Sequence, residues 1–359
     1  MLTELKNLLF KRRCFYILLI VLLIKVFYFS LTYQLEEATF LLLPDDSMYR
    51  ICADRFKGEL TENKLQEINR LFKEAEGADS AINSAYIGLV SGDIGYDEFC
   101  TVADKLSGTA ANRYKGMGQF MRQVEYVQED TESRHILDNR GWICLLRSDS
   151  PDWLLILLII IIGTQTFNCD YSGNMYQMIL TSKNGRLSLA RKRVLSAVLL
   201  SALSVLPFSA CEALTVLFSF GLPCGTSPLQ SIQSLAESQF SLSLVSAFFM
   251  TLAVKIVGAL LLCSLVLLIS ALTKKAVPTM CLSLILMIIP FVLLSGGNGL
   301  LYALPISLFV PNRFLAQSNA VQVLFSVSAA IIASAVMMLC DIYGFSGKSI
   351  LRKGKKSYA

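Results

Sequence analysis

Six runs of the chain, 14–33, 152–168, 194–221, 241–272, 276–294 and 320–342, are almost wholly apolar. A bilayer core of about 30 Å takes about 20 helical residues, so each run predicts a membrane-crossing helix. The second is the shortest, but its centre, 154–163, has no polar side chain beyond a glycine backbone. The fourth exceeds the required length and is expected to tilt or protrude. Lys11-Arg12-Arg13 before the first run imitates a signal peptide, yet the bulky residues 25–29 offer no small-residue cleavage site. That run reads as an uncleaved anchor.

Between the first two runs the periodicity changes. In 62–75 the apolar positions Leu65, Ile68, Leu71, Phe72 and Ala75 form one helical stripe with charges opposite, and Thr61 stands where a cap belongs. A second helix is expected over 96–106, closed by Gly108, while 119–127 alternates too weakly to choose between strand and helix. Gly296-Gly297 ends the fifth run, and 300–310 is apolar but too short to cross, bracketed by Pro305 and Pro311. It reads as a re-entrant or interfacial helix. The expected fold is therefore an all-α polytopic membrane protein. It comprises 1–33 with the first crossing, a mainly helical extracytoplasmic domain over 34–151, crossings two to six over 152–342, and a tail over 343–359.

Composition sharpens this picture. Of 359 residues 54% are hydrophobic and only 16% charged, against roughly a quarter charged in soluble domains. An ordinary soluble enzyme is excluded. The net charge is +5, but 34–151 holds 21 acidic against 13 basic residues and the remainder 6 against 19. The basic clusters lie at 6–13, 183–193, 274–275 and 348–356. With six crossings all four fall on one face, which the positive-inside rule makes cytoplasmic. Both termini are then inside and the acidic segment outside, in a plasma-membrane protein.

Catalytic chemistry finds little footing. A single histidine, His135, reads as a surface residue, and none of the ten cysteines forms a CxxC pair. Cys52, Cys100, Cys144 and Cys224 would lie outside the membrane, so disulfides among them are open. Gly347-Lys348-Ser349 looks like the end of a phosphate-binding loop, but the required earlier glycine is Ile342. No catalytic, cofactor-binding or metal-ligating set is expected, so the chain is read as a non-enzyme without its own ATP site. HExxH, GxSxG and paired intramembrane aspartates are absent as well.

Three ionisable residues sit deep inside apolar runs, away from their ends: Lys25, Glu212 and Lys255. Such charges are costly in lipid and mark functional positions by default. Lys25 lies about 18 Å along its helix from Arg13, too deep to reach water easily. Glu212 and Lys255 each lie about 28 Å from the basic end of their helices. An acid and a base at equal height on consecutive helices suggest a pair.

The cytoplasmic loop 170–193 is the most informative stretch. A short amphipathic piece with Met175, Met178 and Ile179 leads into the polar turn Ser182-Lys183-Asn184-Gly185-Arg186, and a second amphipathic piece feeds the third crossing. Asp170, Gly173, Thr181, Ser182, Lys183, Gly185, Arg186 and Lys192 together resemble the coupling loop of ABC-2 type transporter permeases of Gram-positive bacteria, with aspartate where that family usually has glutamate. The six-crossing layout and the domain between crossings one and two are also similar to one branch of that family. The resemblance implies the membrane subunit of an ATP-driven exporter. It would dock through Asp170, Gly173, Ser182, Lys183, Gly185 and Arg186 on a separate ABC ATPase subunit that binds the ATP. It also implies pairing with a second copy or a homologous permease in the lipid bilayer, and no nucleic-acid partner. The alternative from another class is a multi-span receptor or sensor whose ectodomain binds a ligand.

Overall fold

The structure is a computed structural model. It describes residues 4, 6–11, 14–40, 46–107, 111–146, 151–172, 185–295, 305–310, 315 and 320–345. Every extended element among them is helical: α1 Cys14–Phe40, α2 Asp46–Phe56, α3 Glu62–Ser91, α4 Tyr96–Ser107, α5 Ala111–Gln128, α6 Arg140–Leu146, α7 Trp153–Ser172, α8 Gly185–Ser219, α9 Leu244–Thr273, α10 Ala276–Ser295 and α11 Ala320–Phe345. The chain is all-α, and the described residues hold no strand, only isolated bridges such as Gly58 with Ile136.

Four helices are long and apolar enough to cross a membrane: α1 over Cys14–Leu31, α8 over Leu187–Ser219, α9 over Leu244–Thr273 and α11 over Val323–Tyr343. Trp153–Asn168 and Ala276–Val292 are shorter apolar helices. As helices α7 and α10 have 20 residues each, about 30 Å, but among the described residues only four of the six crossings expected from sequence meet the length and apolarity of a span. The chain is membrane-embedded.

The chain divides into two units. The first comprises Met1–Tyr28, Leu145–Thr215 and Phe248–Ala359. Its core joins Leu155, Ile159 and Ile162 of α7 to Ala197 and Phe208 of α8 and to Leu262, Val266 and Leu267 of α9. Close approach of α7 and α9 requires Gly163: a Cβ there would stand 2.7 Å from Val266 Cγ1. Trp153 meets Phe291 of α10 edge-on at 5.3 Å. Pro305–Phe309 is a 3₁₀ turn whose Ile306, Leu308 and Phe309 are buried, with Phe309 against Gly258 of α9. It occupies part of the expected re-entrant piece; residues 300–304 of that piece, like Gly296-Gly297, lie outside the described residues.

The second unit comprises Phe29–Cys144 and Val216–Ala247. The stripe read from 62–75 packs as expected, with Ile68 fully buried among Tyr49, Cys52, Phe56, Met117, Phe120 and Val124. Thr61 is the N-cap of α3, but its side chain makes no cap hydrogen bond. The ambiguous 119–127 is helix, part of α5, because Phe120, Val124 and Val127 recur at helical spacing toward this core. Residues 216–247, placed by sequence in the membrane body and its loops, join this unit. Tyr126 Oη donates to Gln230 O at 2.6 Å and Trp142 Nε1 to Pro223 O at 2.8 Å. His135, expected on the surface, is half-buried, and its backbone N–H donates to Ser231 Oγ at 3.0 Å. Cys52 is buried with its sulfur 3.5 Å from Met117 Sδ, and Cys52, Cys100 and Cys224 are thiols.

Candidate functional site: a buried charge cluster

In the first unit, α1, α8, α9 and the residue before α7 bring four charged side chains to one place. α1 contributes Lys25, only 4% exposed, and α9 contributes Lys255, 7% exposed. Between them Glu212 of α8 holds Lys25 Nζ through Oε1 at 2.8 Å and Lys255 Nζ through Oε2 at 3.2 Å. Asp152 accepts a second hydrogen bond from Lys25. Phe208, one helical turn before Glu212, lies 4.8 Å from Lys25 Nζ with its ring facing the ammonium, a cation–π contact. Lys25 is thus enclosed by two carboxylates and an aromatic face.

Two cations against two carboxylates make the set formally neutral. Burial of any one alone in an apolar body would be severely unfavourable, and pairing with hydrogen bonds is what makes it tolerable. Glu212 is the central member because each of its oxygens serves a different lysine. Nothing in the arrangement activates a nucleophile. It ties three long helices and the start of a fourth to a common register, with a carboxylate that can redistribute its bonds between two ammonium groups.

Of the residues singled out from sequence, Lys25, Glu212 and Lys255 stand together here. Asp152 was missed because it lies at the boundary of an apolar run, where an acid reads as an interface residue. It is also the N-cap of α7: its Oδ1 accepts the Leu155 amide at 3.1 Å. An aspartate immediately before an apolar run is the sequence signal for that role, although the cap alone would not have shown the ion pair.

Asp341 was not singled out either; it lies at the end of an apolar run, seven residues before Lys348. On α11 it is fully buried, and both carboxylate oxygens lack a hydrogen-bond partner among the described residues. Nearby in type, Asn168 Nδ2 donates to Thr279 Oγ1 at 3.3 Å, and Thr279 shares a hydrogen bond with Thr273 at 2.6 Å.

The loop residues are distributed differently. Asp170 belongs to the last turn of α7, and Gly185 and Arg186 are the first two residues of α8. Gly173, Thr181, Ser182 and Lys183 lie outside the described residues. α8 then runs without interruption from Gly185 through Pro207 to Ser219, 35 residues, about 52 Å.

No protein-family model, no curated protein and no solved structure matches this chain.

Proposed function

We propose that the chain is the membrane-spanning permease subunit of an ATP-driven exporter, of the ABC-2 type that its 170–193 loop resembles. In this reading it crosses the plasma membrane six times with both termini cytoplasmic. Helices α7 and α10, 20 residues each, complete the crossings in this reading. The ATPase is a separate subunit that docks on the 170–193 loop, and a second permease completes the assembly.

The observation that carries this reading is the continuity of α8. Its first residues, Gly185 and Arg186, belong to the resemblance's docking turn, and the same helix carries Glu212, 27 residues and about 40 Å further on. A displacement imposed at the cytoplasmic end by ATP-driven closure of the partner is delivered along one continuous helix to the carboxylate that joins Lys25 and Lys255. Redistribution of those ion pairs then gives the membrane body two arrangements, which alternating exposure of a substrate requires.

The test is co-purification of an ABC ATPase subunit with the tagged chain from its native membranes, comparing wild type with the double variant Gly185→Val/Arg186→Glu. Retention of the chain in the membrane with loss of the ATPase is expected. Undiminished co-purification would overturn the docking assignment.

A further inference from the structure

The α3–α4 hairpin ends in an apolar surface that no other described element covers. Tyr86, Ile87 and Val90 on α3 and Tyr96 on α4 are 57%, 66%, 71% and 71% exposed. Scattered exposed apolar residues are ordinary, whereas contiguous ones mark binding sites. These are contiguous. Tyr86 and Val90 are one helical turn apart, and Tyr86 meets Phe99 edge-on with ring centroids 6.4 Å apart. Tyr96 lies three residues before Phe99 on the same helix. The hairpin itself is tightly built: Gly92 closes α3 in the left-handed conformation, at φ +83°, its amide returning to the carbonyls of Gly88 and Leu89. Gly88 has no side chain to displace Ile94, whose Cδ1 lies 2.7 Å from where a Cβ would be.

Charge identifies what this surface accepts. Residues 74–104 contain seven carboxylates, Glu74, Glu76, Asp79, Asp93, Asp97, Glu98 and Asp104, and no lysine or arginine. Asp93, Asp97 and Glu98 are exposed beside the tyrosines. An anionic membrane surface would be repelled by this rim, and so would the identical tip of a second copy. A cation with an apolar face satisfies both halves of the surface.

We infer that the α3–α4 tip, with Tyr86, Ile87, Val90 and Tyr96 ringed by Asp93, Asp97 and Glu98, docks a cationic amphipathic peptide. The inference rests on the reading that places 34–151 outside the cell, where such a peptide would arrive. It does not depend on the ATPase assignment.

The test uses the full chain in nanodiscs of zwitterionic phosphatidylcholine, with a fluorescent Lys/Leu amphipathic helix as probe. Empty nanodiscs set the baseline, and a Glu/Leu helix and polylysine are the controls. Saturable binding of the Lys/Leu helix is expected, weakened by salt. It should fall at least about ten-fold in Asp93→Asn/Asp97→Asn/Glu98→Gln and about ten-fold in Tyr86→Ser/Tyr96→Ser. Val90→Lys alters a side chain exposed at the tip, spares the tyrosine contacts, and should weaken binding comparably. Equal binding to empty nanodiscs, equal binding of polylysine, or undiminished affinity in Val90→Lys would each overturn the proposal. Because no ATPase is present, failure here leaves the co-purification result intact, and the reverse also holds.

Discussion

Glu212 and Lys255, 43 residues apart in sequence, meet at 3.2 Å through Glu212 Oε2, while the other oxygen of the same carboxylate is committed to Lys25 at 2.8 Å. The pair is therefore part of a chain, and deletion of either member disturbs more than one contact. Lys255→Met leaves Glu212 with Lys25, and the cluster acquires one uncompensated negative charge. Glu212→Gln leaves Lys255 without a carboxylate. Each should lower stability by about 3–5 kcal/mol, the usual effect of stranding a buried charge. The double variant should cost less than the sum, because neutrality returns. Thermal unfolding in nanodiscs measures all three, and strictly additive shifts would show that the two residues act separately.

Asp341 presents the opposite case. A fully buried carboxylate with both oxygens unpartnered among the described residues is unfavourable to the fold whatever its protonation. Asp341→Asn keeps the shape, and Asp341→Leu replaces the polar group with an apolar one. Asp341→Leu should raise stability by about 1–3 kcal/mol. A lower melting temperature in Asp341→Leu would reveal a partner that the described residues do not include.

Gly163 sets the spacing of α7 and α9. Gly163→Leu would drive a branched side chain into Val266, whose Cγ1 lies 2.7 Å from the Cβ position. A loss of about 1–3 kcal/mol is expected from overpacking, with Gly163→Ala intermediate. The pair Gly163→Ala/Val266→Ala should recover part of it, as read from the same melting curves.

Cys52 gives a pH dependence. Burial pushes its thiol up, against the opposing pull of the Arg55 guanidinium. The folded form therefore keeps its proton when the unfolded chain has lost it. That contribution is complete below the unfolded value, about 8.5, and fades as pH rises toward the folded one. Maleimide should label Cys52 far more slowly than Cys100 or Cys224 near pH 8, and equalise on denaturation. Equal native rates would show that the core around Met117 opens freely.

Much of the helical layout was legible because apolar runs and 3.6-residue stripes record burial directly. Leu65, Ile68 and Phe72 are examples. Equal distances of Glu212 and Lys255 from basic helix ends also carried their proximity, since helix rise is fixed. What periodicity could not carry is rotation of one helix about another. That is why Lys25 could be recognised as costly without being assigned to Glu212, and why Asp152 and Asp341, at span ends, were not singled out. That 216–247 joins the second unit was not legible for a related reason. Its contacts with Trp142 and Tyr126 are long-range hydrogen bonds to backbone carbonyls, which leave no trace in side-chain type.

The cluster also has a history during synthesis. Lys25 is made 127 residues before Asp152, and at about 5–20 residues per second that interval lasts about 6–25 s. Glu212 arrives later still. For that time the first helix holds an ammonium in its apolar stretch with neither of its counter-ions yet in existence, a position that costs about 3 kcal/mol on insertion scales. The helix therefore enters the bilayer provisionally, held by the apolar residues around Lys25, and its final seat is fixed only when α8 delivers its carboxylate. Chains truncated before Asp152 should be extracted from the membrane more readily than chains that extend past Glu212.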